Sequence, residues 1–159
     1  MNGAPSLERI ARALTDCRLE SVLIGNAAAA LHGSPVTTVD FDFMFRKTKG
    51  NLAKLKKVAT ALNAIVLQPF YPAAGLYRLM NDDDGLQVDF MSVVDGVRSF
   101  SGLKSRAKDV TFGDAKVLVA SLADIIASKR AADRPRDRAV MEVLEKTLRE
   151  AEKGEAHKK

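Results

Sequence analysis

Val22–Phe45, VLIGNAAAALHGSPVTTVDFDFMF, decides the reading of this chain. It predicts a strand, a tight glycine turn at Gly25-Asn26, a short helix over Ala27–Leu31, a loop, and a second strand over Thr37–Phe45. Side chains alternate across a strand, so residues two apart point the same way. Val39, Phe41, Phe43 and Phe45 then form an apolar face, and Asp40 and Asp42 stand together on the other. Two carboxylates side by side repel each other, and a divalent cation is the obvious partner. The glycine turn and the helix behind it suit the phosphates that such a cation often accompanies, because glycine allows close backbone approach and a helix start offers free N–H groups.

Working outward, Ser6 reads as an N-cap before Leu7, Ile10, Ala11 and Leu14 at helical spacing, in a helix ending near Asp16–Arg18. Glu20–Ile24 is the strand that enters the glycine turn. Beyond Phe45, a polar break over Lys47–Gly50 precedes an amphipathic helix marked by Leu52, Leu55, Val58, Ala59 and Leu62. Ala64–Gln68 is a short strand. Leu76–Met80 and Leu86–Val93 form a hairpin around Asn81-Asp82-Asp83-Asp84-Gly85. Asp95–Asp114 gives no clear period and reads as loop with short turns or a brief strand. Lys116–Val119 is the last strand. Ser121 and Asp124 cap a helix over Leu122–Ala131, and Pro135 opens the closing helix. The order of elements indicates an α/β or α+β domain with a mixed sheet flanked by helices.

The chain has 159 residues, enough for one domain with a real core, placed at about 6–150, with 151–159 expected to fray. No apolar run approaches a membrane span, and MNGAPSLERI lacks the basic and apolar pattern of a signal peptide. A single cysteine, Cys17, excludes an internal disulfide framework and fits a cytoplasmic setting. One cysteine and two histidines, far apart, argue against a zinc site. The net charge of +5 and a pI near 9.4 suit an anionic partner such as nucleotide or nucleic acid.

Asp89, in LQVDFM, is the third carboxylate of interest. If its strand runs beside Thr37–Phe45, it joins Asp40 and Asp42 in a cluster of the kind that binds two Mg²⁺ about 3.5–4 Å apart. Gly25-Asn26 at a strand end, a helix closing in His32-Gly33, Thr38-Val39-Asp40-Phe41-Asp42 and a distant Asp89 resemble the DNA-polymerase-β-like nucleotidyltransferase superfamily. Within it, the chain is most similar to the small bacterial AbiEii-like (abortive-infection, toxin–antitoxin) group. That group's closing Lys…Arg-Pro-Lys-Asp segment is matched by Lys129 followed by Arg134-Pro135-Arg136-Asp137. The likeness spans roughly Val22 to Leu144.

The resemblance implies a nucleotidyltransferase fold and Mg²⁺-dependent transfer of an NMP from an NTP to a hydroxyl. It assigns Asp40, Asp42 and Asp89 to metal, Gly25, Asn26 and Lys129 to the triphosphate, and Asp137 to orienting a neighbour or assisting the acceptor. The basic closing segment favours RNA, a tRNA 3′ end first, as acceptor, then a protein, then a small molecule such as an aminoglycoside, and the resemblance implies a cognate antitoxin. Asn26 departs from the usual Ser or Gly, and Val36 stands where the toxin-like group has Arg. Those departures leave a second reading, a catalytically weak domain that binds nucleotide, RNA or a partner and acts by occupancy. A metal-dependent phosphoesterase is a third.

Other residues admit plainer readings. His32 fits a helix end, Asp82–Asp84 a solvated turn, and Lys54, Lys56 and Lys57 a solvated face. Arg130, Arg134, Arg136 and Arg138 with Lys129 either bind a polyanion or pair with Asp133, Asp137 and Glu142. Tyr71 and Tyr77 could stack on a base, but two tyrosines and no tryptophan do not carry that role.

Overall fold

The computed structural model describes residues 3–38, 40–68 and 75–157. Its first half runs α1 (Gly3–Cys17), β1 (Ser21–Ile24), α2 (Gly25–Leu31), β2 (Phe41–Phe45), α3 (Lys49–Ala61) and β3 (Ile65–Leu67). There follow β4 (Leu76–Asn81), β5 (Leu86–Met91), α4 (Phe100–Arg106), β6 (Lys108–Phe112), β7 (Ala115–Val119), α5 (Leu122–Ala132) and α6 (Pro135–His157). Among the described residues the strands form one mixed sheet in the order β3-β4-β5-β2-β1-β7-β6. β1 pairs with β7, and β2 with β5, in parallel; the other neighbours are antiparallel.

β1 and β2 lie in the middle of this sheet, and all four residues of β1 are buried, as an interior strand covered on both faces requires. One face is aromatic. Phe43 stacks on Phe90 at 5.2 Å, and Phe45 meets Phe90 and Tyr77 edge-on, each at 6.0 Å. Such pairs add about 0.5–1.5 kcal/mol each beyond their buried area. Their alternation leaves Asp42 and Asp89 on the opposite face. α1 packs on β7 and α3, whereas α2 lies against β1, β2 and α5. The small side chains of Ala27, Ala28 and Ala29, all buried, let α2 come close to the strands. Leu144 of α6 is fully buried and joins that helix to the core.

The sequence reading and the structure differ at several ends. α1 starts at Gly3, so Ser6 lies inside its first turn and is buried instead of capping it; Pro5 is compatible with a first turn because the missing N–H has no helical partner there. Gly25 and Asn26 are the first residues of α2, with no separate turn between strand and helix. β2 begins at Phe41, so Asp40 precedes the strand, and Val39 lies outside the described residues. The stretch read as irregular contains α4, capped by Ser99 Oγ accepting from the Gly102 N–H, and then β6. α6 continues to His157 through the segment expected to fray, its sides solvated over 151–155. No described helix is long and apolar enough to cross a membrane.

Candidate active site

Asp42 and Asp89 are brought together by strand pairing. In the parallel β2–β5 ladder they are register partners, and on the other side of β2 the partner of Asp42 is Ile24, the residue before Gly25. The expected juxtaposition of the Asp89 strand with the Asp40–Asp42 strand is therefore present. Burial, followed by the charges of Asp89 and Asp40, pushes Asp42 up to about 6. Gly25 packs against the same carboxylate. Its φ of +71° belongs to the left-handed region, and a Cβ there would lie 3.3 Å from Asp42 Oδ2.

Asp40 sits in the loop leading into β2, where the Thr38 hydroxyl donates to its carbonyl at 3.1 Å. Asn26 Nδ2 donates to the Thr37 carbonyl at 3.3 Å, while its buried Oδ1 meets no donor among the described residues. Asn26 thus ties α2 to the loop carrying Asp40 and leaves one acceptor for a ligand to satisfy.

The closing segment forms the facing wall. Asp133, in the left-handed region at φ 48°, turns the chain from α5 into α6. This brings Lys129 Nζ to 3.6 Å from Asp137 Oδ1. Asp137 Oδ2 accepts from the Arg134 backbone N–H at 3.1 Å and from Arg134 Nε at 2.7 Å. The first of these is the reach-back of a capping box at the start of α6. Burial pushes the Asp137 carboxyl up, but the hydrogen bonds and charge of Arg134 and the charge of Lys129 hold it below the usual carboxylate range. Burial pulls Lys129 down, partly offset by Asp137.

Between these walls lies a cleft of about 830 Å³. Gly25, Asn26, Asp40, Asp42 and Asp89 line one side of it, and Lys129, Arg136 and Asp137 come from α5 and α6. All the residues singled out for metal or triphosphate therefore meet in one place. The basic segment divides. Arg130 pairs with Glu145, Arg134 with Asp137 and Arg138 with Asp133, whereas Arg136 has no ion pair among the described residues and its charge reaches Asp42. Of the expected internal partners, Asp133 and Asp137 are used, whereas Glu142 has no ion pair among the described residues and Glu145 takes Arg130.

Arg78 is the site residue that sequence reasoning missed. Its Nε donates to Asp89 Oδ1 at 2.9 Å and its Nη2 to Oδ2 at 3.1 Å, a bidentate fork. The signal lay in the hairpin register, since pairing Asn81 with Leu86 across the turn sets Arg78 opposite Asp89. This contact changes the metal arithmetic. Among the described residues, no three acidic, histidine or cysteine side chains are gathered tightly enough to hold an ion. Both oxygens of Asp89 are engaged by Arg78, and Asp40 precedes the ladder that fixes the other two aspartates. The oxygen donors of Asp40 and Asp42 fit a hard divalent cation, and the raised Asp42 marks a repulsion that such a cation relieves. The full set with Asp89, expected to hold two Mg²⁺, is not gathered as one cluster among the described residues, and Arg78 takes one lone pair on each Asp89 oxygen.

Three plainer readings hold. His32 Nε2 lies 2.8 Å from the Ala120 carbonyl and ties the end of α2 to the loop after β7. Asp84 sits in the hairpin turn, accepting from the Leu86 N–H and pairing with Arg9. Tyr77 is a core residue against Phe45, which removes it as a base-stacking candidate, and Tyr71 lies outside the described residues.

No family model matches the chain, and a search of curated proteins finds no significant match. Solved structures do match. The crystal structure of ANT(2″)-Ia in complex with adenylyl-2″-tobramycin superposes with a TM-score of 0.63 at 15% identity, over 93% of this chain and 90% of that one. This is a nucleotidyltransferase fold. The solution structure of the antibiotic-resistance factor ANT(2″)-Ia gives 0.59 at 14% identity, covering 98% and 95% of the two chains. TM1012 from Thermotoga maritima, provisionally named a nucleotidyltransferase, gives 0.56 at 20% identity and 92% of each chain. At these identities the shared property is the nucleotidyltransferase fold itself, with a seven-stranded mixed sheet between helices.

Proposed function

We propose that this chain is a metal-dependent nucleotidyltransferase that moves an NMP from an NTP to a hydroxyl of an acceptor. The observation that carries the reading is the side-by-side placement of Asp42 and Asp89 next to Gly25, in a cleft that also takes Lys129 and Arg136. Asp40 and Asp42 would hold Mg²⁺, which when bound would offset the phosphate charge. Gly25 gives the phosphates access to backbone at the start of α2. Lys129 and Arg136 face the same space with positive charge and would steady the β- and γ-phosphates. The acceptor oxygen would bond to the α-phosphorus as the bond to the β-phosphate oxygen breaks, releasing pyrophosphate. Asp89 would take the proton from the acceptor hydroxyl. Asp137, buried and engaged by Arg134 and Lys129, positions Lys129.

The toxin-like resemblance and the basic closing segment favour RNA, a tRNA 3′ end above all, as acceptor, with a cognate antitoxin and a cytoplasmic setting. A second acceptor class has its own support. Arg130, Arg134 and Arg138 are neutralised within the chain, which leaves less charge for a long polyanion. ANT(2″)-Ia, in complex with an adenylylated aminoglycoside, has the same fold. An aminoglycoside-like polyol amine therefore stands beside RNA and protein hydroxyls.

The test supplies each α-labelled NTP in turn with Mg²⁺ and, separately, total RNA, cell lysate protein and a set of aminoglycosides. Asp42→Asn serves as control. Label transferred to one acceptor by the native chain alone supports the reading and names nucleotide and acceptor. Nucleotide binding with no transfer to any acceptor would instead favour a domain acting by occupancy.

A further inference from the structure

Arg78 places a guanidinium against Asp89 in the cleft that Asp40 and Asp42 also line. Asp89 is a buried carboxylate, and a buried charge is costly unless it is paired. The chain supplies its own pair. The guanidinium donates one hydrogen bond to each carboxylate oxygen, so a further cation at Asp89 would meet a like charge, and its charge also acts on Asp40 and Asp42. The β4–β5 hairpin holds Arg78 opposite Asp89. That register is fixed by six successive residue pairs and by a turn in which Asp84 caps the Leu86 N–H and is held by Arg9. With all three aspartates ionised, Arg78 cancels one of three negative charges and leaves two, the charge of a single divalent ion.

We propose that Arg78 is a positioning residue that holds Asp89 out of the metal set, so that Asp40 and Asp42 take one divalent ion where three free aspartates would take two. The inference rests on the metal-dependent reading above and adds a stoichiometry and a residue to it. Asp89 is then fixed in orientation by Arg78 and keeps its role toward the acceptor proton, while charge neutralisation at that end of the site comes from the protein.

Titration of the full chain with Mn²⁺ alone, followed by loss of the free-ion paramagnetic resonance signal, reads the stoichiometry directly. The native chain is expected to bind one ion, Arg78→Met two, and Arg78→Lys one, because lysine keeps the charge on Asp89 without the fork. Melting by circular dichroism identifies any variant that fails to fold, and Arg78→Gln then takes the place of Arg78→Met. Two ions on the native chain, or one on folded Arg78→Met and Arg78→Gln, overturns the inference and leaves the metal-dependent reading standing. No ion on the native chain, or binding unaffected by Asp42→Asn, overturns both.

Discussion

Asp42 is flanked in the sheet by Asp89 on β5 and by Ile24 on β1, so its carboxylate is placed between a like charge and an apolar strand end. Its ordinary value of 3.8 is pushed up to about 6 by burial first and by Asp89 and Asp40 after it. A folded-state value above the unfolded one means that the folded chain holds the proton more tightly. Stability is therefore undiminished below about pH 4, falls as pH rises from there to about 6, and stays lower above it. At about 1.4 kcal/mol per pKa unit, the rise from 3.8 to about 6 corresponds to about 3 kcal/mol. Asp42→Asn is expected to melt roughly 5–10 °C above the native chain at pH 8 and at the same temperature near pH 3.5, both in chelator. Adding Mg²⁺ at pH 8 should raise the native melting point and leave that of the variant unchanged. Equal melting of the two proteins at pH 8 in chelator contradicts this account.

Gly25 carries two demands at once, a φ of +71° and 3.3 Å of clearance to Asp42 Oδ2. Gly25→Ala meets the first at a cost of about 1–2 kcal/mol of stability. It meets the second by moving the Asp42 carboxylate, so transfer activity should fall by roughly a hundredfold or more, beyond what the lost stability accounts for. Comparing the melting point with kcat on the folded variant separates the two effects. Full activity with only a lowered melting point would show that the clearance is not used.

How much of this was legible in the sequence depended on range. Alternation in Phe41–Phe45 and in Leu86–Met91 was enough to put Asp42 and Asp89 on the face away from the aromatics, and a DxD strand beside the LQVDFM strand followed from the resemblance. Pairing Asp42 with Asp89 is a contact across 47 residues of chain, and no local pattern specifies it. α4 was missed because Phe100 and Leu103 are its only buried residues, too few to mark a period over seven positions. Arg78 was missed for a different reason. A lone arginine in LYRLMN reads as the solvent side of a hairpin, and only the register reveals the buried carboxylate opposite.

Lys129 and Asp137 should respond differently to removal. Asp137 is almost wholly buried and accepts from Arg134 as well as pairing with Lys129, so Asp137→Asn leaves buried positive charge without its counter-ion. A loss of about 2–4 kcal/mol in stability is expected, measured by urea unfolding. Lys129→Met keeps the length and most of the packing of the side chain, and Asp137 retains Arg134. Its stability should change by about 1 kcal/mol or less, while NTP affinity falls roughly tenfold to a hundredfold. A Lys129→Met chain that binds NTP normally would remove Lys129 from the phosphate side of the site.

Arg136 separates from Arg130, Arg134 and Arg138 by lining the cleft without an ion pair among the described residues. Arg136→Ala is expected to weaken NTP binding roughly tenfold at low salt, with the difference shrinking by 0.5 M salt as exposed charges are screened. Arg130→Ala and Arg138→Ala, whose charges are met by Glu145 and Asp133, should leave NTP binding within about twofold. Isothermal titration of the three variants with a non-hydrolysable NTP in Mg²⁺ checks this ordering. If an RNA acceptor uses this surface, Arg130→Ala and Arg138→Ala will lower transfer to RNA while NTP binding holds. If the acceptor is small, transfer will follow Arg136 alone.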